Sequence, residues 1–409
     1  MTGQIVIVGA GVAGATAART LRSSGYTGRI VLVGAEQHAP YRRPMVSKDL
    51  LAGTRELERC LLESESYWAG SDIELRVGTT VTDLCTDRGR VCLSTGESLG
   101  YDSLLLATGA RARRLEHHPP LRVRTLRGVA DIAALRAAIA TGPLLIVGAG
   151  LVGLEVAATV RGLGGQAQVV NASAGPLDRV VPHEVSALVR DLHAEHGVRI
   201  DNDVELTGIE QIDSHGVVAT ATDGRTWSAA SALVAIGADP DTALARTAGL
   251  EISDGILVDA HFHTSAPGVF AAGDVAARFT PQRRRHERDQ HWNSAQAQGA
   301  AAAKSMLGQP DTDLEIPWGW STQYGVNLQF AGWPHPCEDL VVRGSIADRD
   351  FIALALTEGA LVGAVAVGRP RDLRTARELI AGGAVHPRAD WAEAAELAEL
   401  KREVQPVRQ

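Results

Sequence analysis

Twice in its 409 residues the chain passes from an apolar run through G-x-G-x-x-G into an alanine-rich segment. The first copy is Ile5-Val6-Ile7-Val8, then Gly9, Gly11, Ala13 and Gly14, with Ala15 to Ser23 reading as helix. The second is Leu144-Leu145-Ile146-Val147, then Gly148, Gly150, Leu151, Val152 and Gly153. Each reads as strand, tight turn and helix. The first glycine permits the turn, the second lets a pyrophosphate approach the backbone, and the third lets helix and strand pack closely. The amino terminus of the helix is then left facing the phosphates. A single copy is a weak signal, because glycine-rich turns between strand and helix are common. Here each copy also closes on an apolar strand and a glycine turn, Leu104-Leu105-Leu106-Ala107-Thr108-Gly109 and Ala232-Leu233-Val234-Ala235-Ile236-Gly237. The duplication predicts two dinucleotides.

At this length two or three domains are expected. The net charge of -8 argues against general nucleic-acid binding. No apolar run reaches the roughly 18 residues of a membrane span, and the amino terminus lacks a basic region followed by an apolar one, so a cytoplasmic protein is expected. Cys60, Cys85, Cys92 and Cys337 show neither CxxC nor CxxxxC spacing, and read as reduced, buried thiols. No metal-ligand set is read from the sequence. With no paired thiols, if the chain binds a flavin, its electrons must leave by some route other than an internal dithiol.

Arg29 to Val33 reads as the second strand of the first unit, ending at Gly34, Ala35 and Glu36. A carboxylate about 20 residues past the glycines suits a ribose diol, and the alternative for Glu36 is a solvated loop glutamate. Pro40 to Lys48 is a proline-stiffened loop able to hold the lysine beside an electron-rich ring, or simply a basic loop. In the second unit Gln168-Val169-Val170 ends at Asn171 rather than a carboxylate. No arginine lies closer than Arg179, which leans the reading to NADH over NADPH. Arg199 to Ala229 reads as a β-meander with turns at His215-Gly216 and Asp223-Gly224. Gly273-Asp274 ends a strand and can aim a carboxylate at a ribityl chain, and Trp292 opens an alanine-rich helix. From Ile316 the texture becomes that of a small α+β unit, with the tryptophan-rich Pro317 to Ser321 at its start. The charged tail from Trp391 to Gln409 reads as a fraying surface helix.

These landmarks together resemble the FAD-dependent, NAD(P)H-using ferredoxin reductases of bacterial oxygenase systems. They are GAGVAG at Gly9, RRPMVSK at Arg42, ATGA at Ala107, RTL at Arg124, GAGLVGLE at Gly148, AAGD at Ala271, HWNSAQAQG at His291 and PWGWSTQ at Pro317. The resemblance implies an α/β fold of two Rossmann-like, glutathione-reductase-like domains and a C-terminal α+β domain. It implies an FAD-binding domain from 1–112 and 243–315, an NAD(P)H-binding domain from 113–242 and a C-terminal domain from 316–409. It places the FAD pyrophosphate at Gly9, Gly11, Ala13 and Gly14, and the adenosine ribose at Ala35 and Glu36. Val81 falls at the adenine, with Arg43, Ala107, Thr108, Gly109 and Arg124 nearby, and Gly273 and Asp274 on the ribityl side. NAD(P)H falls to Gly148, Gly150, Leu151, Val152, Gly153, Asn171, Arg179 and Gly237. Lys48 beside the flavin, paired with Glu155, is the implied catalytic device, with Trp292 and the Trp318 to Ser321 loop, Trp320 included, bordering the ring.

The implied partner is an acidic 2Fe-2S ferredoxin, steered by a basic rim of Arg42, Arg43, Arg283, Arg284, Arg285 and Arg288. The implied assembly is a monomer or homodimer. The alternatives are a rubredoxin reductase or NADH oxidase on the same scaffold, or a flavin-bound redox sensor. Oxidases of this kind usually carry a redox cysteine where this chain has Met45, Val46 and Ser47. Gln290, Gly319 and Thr322 depart from the family's usual residues at the flavin and partner face.

Overall fold

The computed structural model describes residues 3–115, 121–212, 216–280, 284–309 and 316–403. It divides into two compact units, one from Met1–Pro44, Arg55–Arg111 and Ala238–Glu315, the other from Met45–Thr54, Ala112–Gly237 and Ile316–Gln409.

Each unit is built on a five-stranded sheet whose described pairings are all parallel. In the first, the order is Val269–Ala271, Ser103–Leu106, Gln4–Val8, Arg29–Val33 and Ile73–Arg76. The central strands are buried on both faces, as a parallel sheet covered by helices requires: Val6, Ile7, Val31, Leu104 and Leu105 are fully enclosed. In the second, the order is Val123–Arg124, Ser231–Val234, Leu144–Val147, Ala167–Val170 and Arg199–Asp201. Arg199–Asp201 pairs parallel with Ala167–Val170, so it belongs to this sheet rather than to the expected meander. The meander is Leu206–Ile212, Gly216–Ala221 and Thr226–Ala229, and His215 of its first turn lies outside the described residues.

Alanine and glycine let the helices come close. A side chain at Gly299, in the helix Trp292–Met306, would run into the backbone of Ala13 in the helix Val12–Ser23. That first helix begins at Val12, three residues before the alanine run suggests, because Gly11 takes the extended N-cap conformation.

The second unit also carries an antiparallel sheet in the order Trp318–Gln323, Val326–Gly332, Ala360–Val367, Asp350–Thr357 and Asp339–Ser345. The amphipathic helix Pro370–Ala381 starts with proline in its first turn, where the missing N–H costs nothing. It buries Leu373, Ala376 and Leu379 in the sheet's core.

Three expectations need correction. The tryptophan-rich stretch is a strand, not a loop, since its alternation places Gly319 and Ser321 inside. The tail does not fray over its described part: Trp391 is fully buried and Leu397 and Leu400 join the same core, because their apolar side chains outweigh the charge between them. Of the four free cysteines only Cys60 is buried, the others being partly exposed. Among the described residues, no helix is long and apolar enough to cross a membrane.

Candidate active site

In the first unit the glycine turn is set by the strand that feeds it. Gly9 has φ +111°, its N–H donates to the Val33 carbonyl at 2.8 Å, and any side chain there would collide with Ala107. Gly14 would collide with Gly9, whereas a side chain on Gly11 would meet no atom within 4 Å. The turn is therefore closed where strand and helix touch and open where a diphosphate approaches. Ala13 is buried beneath the neighbouring glycines, since a Cβ on Gly273 would lie 2.9 Å from its methyl group.

Beyond the second strand, Ala35 is exposed and Glu36 is braced. The Glu36 carboxylate accepts from the Tyr41 hydroxyl at 2.6 Å and pairs with the Arg43 guanidinium at 2.5 Å. Burial works against the Arg43 charge, but Tyr41 and Glu36 outweigh it and hold its pKa above the ordinary arginine value. Val81 opens the strand Val81–Cys85. Thr108 donates to the Asp241 carbonyl at 2.7 Å, and Gly109 has φ +72°. The Gly273-Asp274 turn is tied down by Gln298, whose side-chain oxygen accepts from the Gly273 N–H at 2.9 Å. Trp292 begins its helix behind an extended His291. Asp289, just before it, is pushed above the usual carboxylate range, by burial first and by the Asp274 charge in addition.

In the second unit the turn is the same. Gly148 has φ +106°, donates to Val170 at 2.8 Å and would collide with Ala235 if substituted. Gly153 abuts Gly148, and Gly150 again faces open space. Leu151 and Val152 start the helix Leu151–Gly162, with Val152 40% exposed. Gly237 has φ +107°. Arg124 lies on the edge strand and Arg179 is exposed in the turn after Gly175. Asn171 points inward: its oxygen accepts from the Ala149 N–H at 3.4 Å, and its amide donates to Ser173, Gly175 and Asn202 at 3.0–3.1 Å.

The same unit assembles the expected ion pair. Lys48 Nζ lies 2.6 Å from Glu155 Oε2, with side-chain exposures of 16% and 6%. Glu155 sits in the first turns of the helix and also accepts from Ser47 at 2.5 Å through Oε2 and from Ser321 at 2.8 Å through Oε1. Thr159, one turn later, donates to the Ser47 carbonyl at 2.8 Å, and Arg136 donates to Leu50 and Leu51. The lysine loop is thus fastened at both ends. The arrangement offers a cation held at a fixed point in a largely dry setting, which is what stabilising negative charge on a bound ring requires. Trp320 stands 5.9 Å from Trp318, whose ring carries Arg377 at 4.8 Å.

Several of these side chains escape a reading of the sequence. Ser47, Gln298 and Ser321 act through partners far away in sequence, Tyr41 through Glu36 and Arg43 nearby, and none stands at a motif position that names its job. The expected basic rim is only partly available. Arg43 is spent on Glu36, Arg285 pairs with Glu287, and Arg288 is 4% exposed and pairs with Asp254. Arg283 lies outside the described residues.

The Pyridine nucleotide-disulphide oxidoreductase model matches residues 3–299, and the Reductase C-terminal model matches 318–401. The benzene 1,2-dioxygenase system ferredoxin--NAD(+) reductase subunit of Pseudomonas putida is 38% identical over 385 residues, covering 93% of either chain. The biphenyl dioxygenase system ferredoxin--NAD(+) reductase component of Paraburkholderia xenovorans (strain LB400) is 38% identical over 384 residues, 93% of either chain. A crystal structure of the covalent putidaredoxin reductase–putidaredoxin complex contains a chain matching with a TM-score of 0.92 at 32% identity, covering 98% of this chain and 99% of that one. With both models in order along it and relatives matched nearly end to end, the chain belongs to the pyridine nucleotide-disulphide oxidoreductase family.

Proposed function

We propose that the protein is an FAD-dependent NAD(P)H ferredoxin reductase. It takes electrons from NADH in preference to NADPH and passes them to a 2Fe-2S ferredoxin that feeds a cytochrome P450 or Rieske oxygenase. The observation that carries this reading is the buried Lys48–Glu155 pair, a charge device with no cysteine pair beside it. Residues 1–112 and 243–315 hold FAD on this reading, 113–242 hold the nicotinamide coenzyme, and 316–409 complete the reductase. Support for FAD in the first copy comes from the open face of Gly11 and the braced Glu36. Support for a second dinucleotide comes from the equally open Gly150. The relatives named as ferredoxin--NAD(+) reductases favour NADH.

Bound there, FAD supplies the conversion of a two-electron hydride donor into single electrons. The chain's own residues orient and charge the site. Gly9, Gly11 and Gly14 admit the diphosphate, and Glu36 accepts from the ribose. Asp274 serves the ribityl side. Lys48 places positive charge, Glu155 keeps it in place, and Trp292 and Trp320 offer flat surfaces that exclude water. The protein is read as cytoplasmic, where NADH is available, and as a monomer or homodimer, which gel filtration with light scattering decides.

The test is an anaerobic titration of the purified flavoprotein with NADH and with NADPH, followed by cytochrome c reduction with and without added ferredoxin. Ferredoxin-dependent turnover supports the reading, and fast turnover with oxygen alone, independent of ferredoxin, overturns it. Lys48→Met should slow flavin reduction about a hundredfold while FAD stays bound, the scale of losing one preorganised charge. Unchanged reduction in stopped flow would make the lysine merely structural.

A further inference from the structure

The Lys48–Glu155 pair is one end of a longer buried chain. Ser321 lies 2.8 Å from Glu155 Oε1, Gln323 Nε2 lies 3.0 Å from Ser321, and Gln323 Oε1 lies 2.8 Å from His193 Nε2. The Tyr324 hydroxyl lies 3.3 Å from His193 Nδ1. Ser321 and His193 are fully buried and Gln323 is 4% exposed.

The direction of every link is forced. The carboxylate in the ion pair only accepts, so Ser321 spends its proton on Glu155 and accepts from the Gln323 amide. The Gln323 oxygen then needs a donor, which puts the His193 proton on Nε2 and leaves Nδ1 to accept from Tyr324. The protonation states agree with this. Burial pulls the His193 pKa down to about 4, against the hydrogen bond that His193 donates to Gln323, and so keeps the ring neutral. Burial pushes Tyr324 up to about 12, so its hydroxyl remains a donor.

The far end is held under strain. Tyr324 has φ +51° at the tip of the hairpin between Trp318–Gln323 and Val326–Gly332, unusual for a bulky side chain. Its ring stacks on His196 at 3.7 Å and 12°. A row of buried polar groups is costly unless every member is satisfied, and apolar residues would fill the same space. An amide in the row blocks net proton passage, since it would have to adopt its imidic form, so the row transmits orientation instead.

We propose that Ser321, Gln323, His193 and Tyr324 are positioning residues, a one-way donor chain that fixes the Glu155 carboxylate and through it the Lys48 ammonium. This rests on the reading of Lys48 and Glu155 as the reacting pair. Gln323→Met keeps the volume and breaks the chain. Gln323→Glu keeps an acceptor for His193 but brings no donor to Ser321.

Lys48 shares the chain only with Lys304 and Lys401, so competitive acetylation read by mass spectrometry reports its exposure against two internal references, independently of turnover. In the holoenzyme, Gln323→Met should raise relative Lys48 acetylation several-fold. It should also slow flavin reduction about tenfold at unchanged NADH affinity, the scale of one net hydrogen bond. Gln323→Glu should behave like Gln323→Met. Wild-type Lys48 reactivity in Gln323→Met, or full rescue by Gln323→Glu, overturns the proposal. If Gln323→Met does not fold, Tyr324→Phe removes only the last donor, and a rise in Lys48 acetylation there, or its absence, decides the same question. An unchanged rate in Lys48→Met would defeat the catalytic reading, while acetylation would still test the chain.

Discussion

The two glycine turns are nearly superposable in their local bonding, and the chain treats them differently only beyond the second strand. Gly9 and Gly148 share a left-handed φ near +110° and the same 2.8 Å bond back to the neighbouring strand. Gly11 and Gly150 share an extended N-cap and an open face. Past the strand, three residues on at Glu36 and one on at Asn171, the copies part. Glu36 faces partly outward with its carboxylate braced by Tyr41 and Arg43, whereas the Asn171 side chain is turned in and spends its amide on three carbonyl oxygens and its oxygen on the Ala149 N–H. The cradle repeats because backbone sterics leave it little choice. The residues that follow the strand are less constrained, and in the second copy Asn171 fastens its own loop while in the first Glu36 keeps its carboxylate partly outward.

The largest effects should come from the turns themselves. Gly9→Ala strains the backbone by about 1–3 kcal/mol before its collision with Ala107 is counted. The protein should therefore purify without most of its FAD, read from the flavin-to-protein absorbance ratio. Gly148→Ala should keep FAD and weaken NADH binding at least about tenfold, on the same strain. Loss of FAD from both variants would break the idea that the copies bind independently.

Acid should separate the units next. His193 titrates near 4 in the folded chain against an ordinary 6.5. The unfolded chain therefore binds the extra proton between those values, and stability is lost as pH falls from 6.5 to 4, by about 3 kcal/mol in all. Asp289 in the first unit, its pKa raised, works the other way and favours the folded state as pH falls. Hydrogen exchange at pH 7 and pH 4.5 should show 144–170 losing more protection than 4–33, and His193→Gln should flatten the difference.

The smallest effect sharpens the contrast at the ribose position. Glu36→Ala should weaken FAD binding about tenfold, as loss of a charged hydrogen bond does. Asn171→Ala should cost about 1–2 kcal/mol of stability through unsatisfied loop carbonyls and leave the NADH to NADPH ratio untouched. A shifted ratio would mean that Asn171 reaches the coenzyme after all.

Much of the scaffold is legible in the sequence because it is local. Strand, glycine turn and helix follow one another within about 20 residues, so both nucleotide units and their closing strands can be read directly. Lys48 and Glu155 are legible only through the resemblance, since nothing in their spacing announces a 2.6 Å contact. Ser321 and His193 join the same site from other parts of the chain, and a serine or histidine in an amphipathic stretch carries no mark of its partner. Charge was the misleading cue in two places. The arginines before Trp292 look like a solvated rim, yet the Arg288 side chain is only 4% exposed, and the charged tail holds the fully buried Trp391.

The strand Val269–Ala271 closes the first sheet only after the whole second copy has been laid down. During synthesis the second sheet has all its strands once Val234 emerges from the ribosome, while the first waits roughly 40 residues more, on the order of seconds. Of the two parallel sheets, the amino-terminal one is therefore begun first and completed second. Through that interval the outer edge of Ser103–Leu106, where Val269–Ala271 will pair, is left open, while Gln4–Val8 already has both of its neighbours.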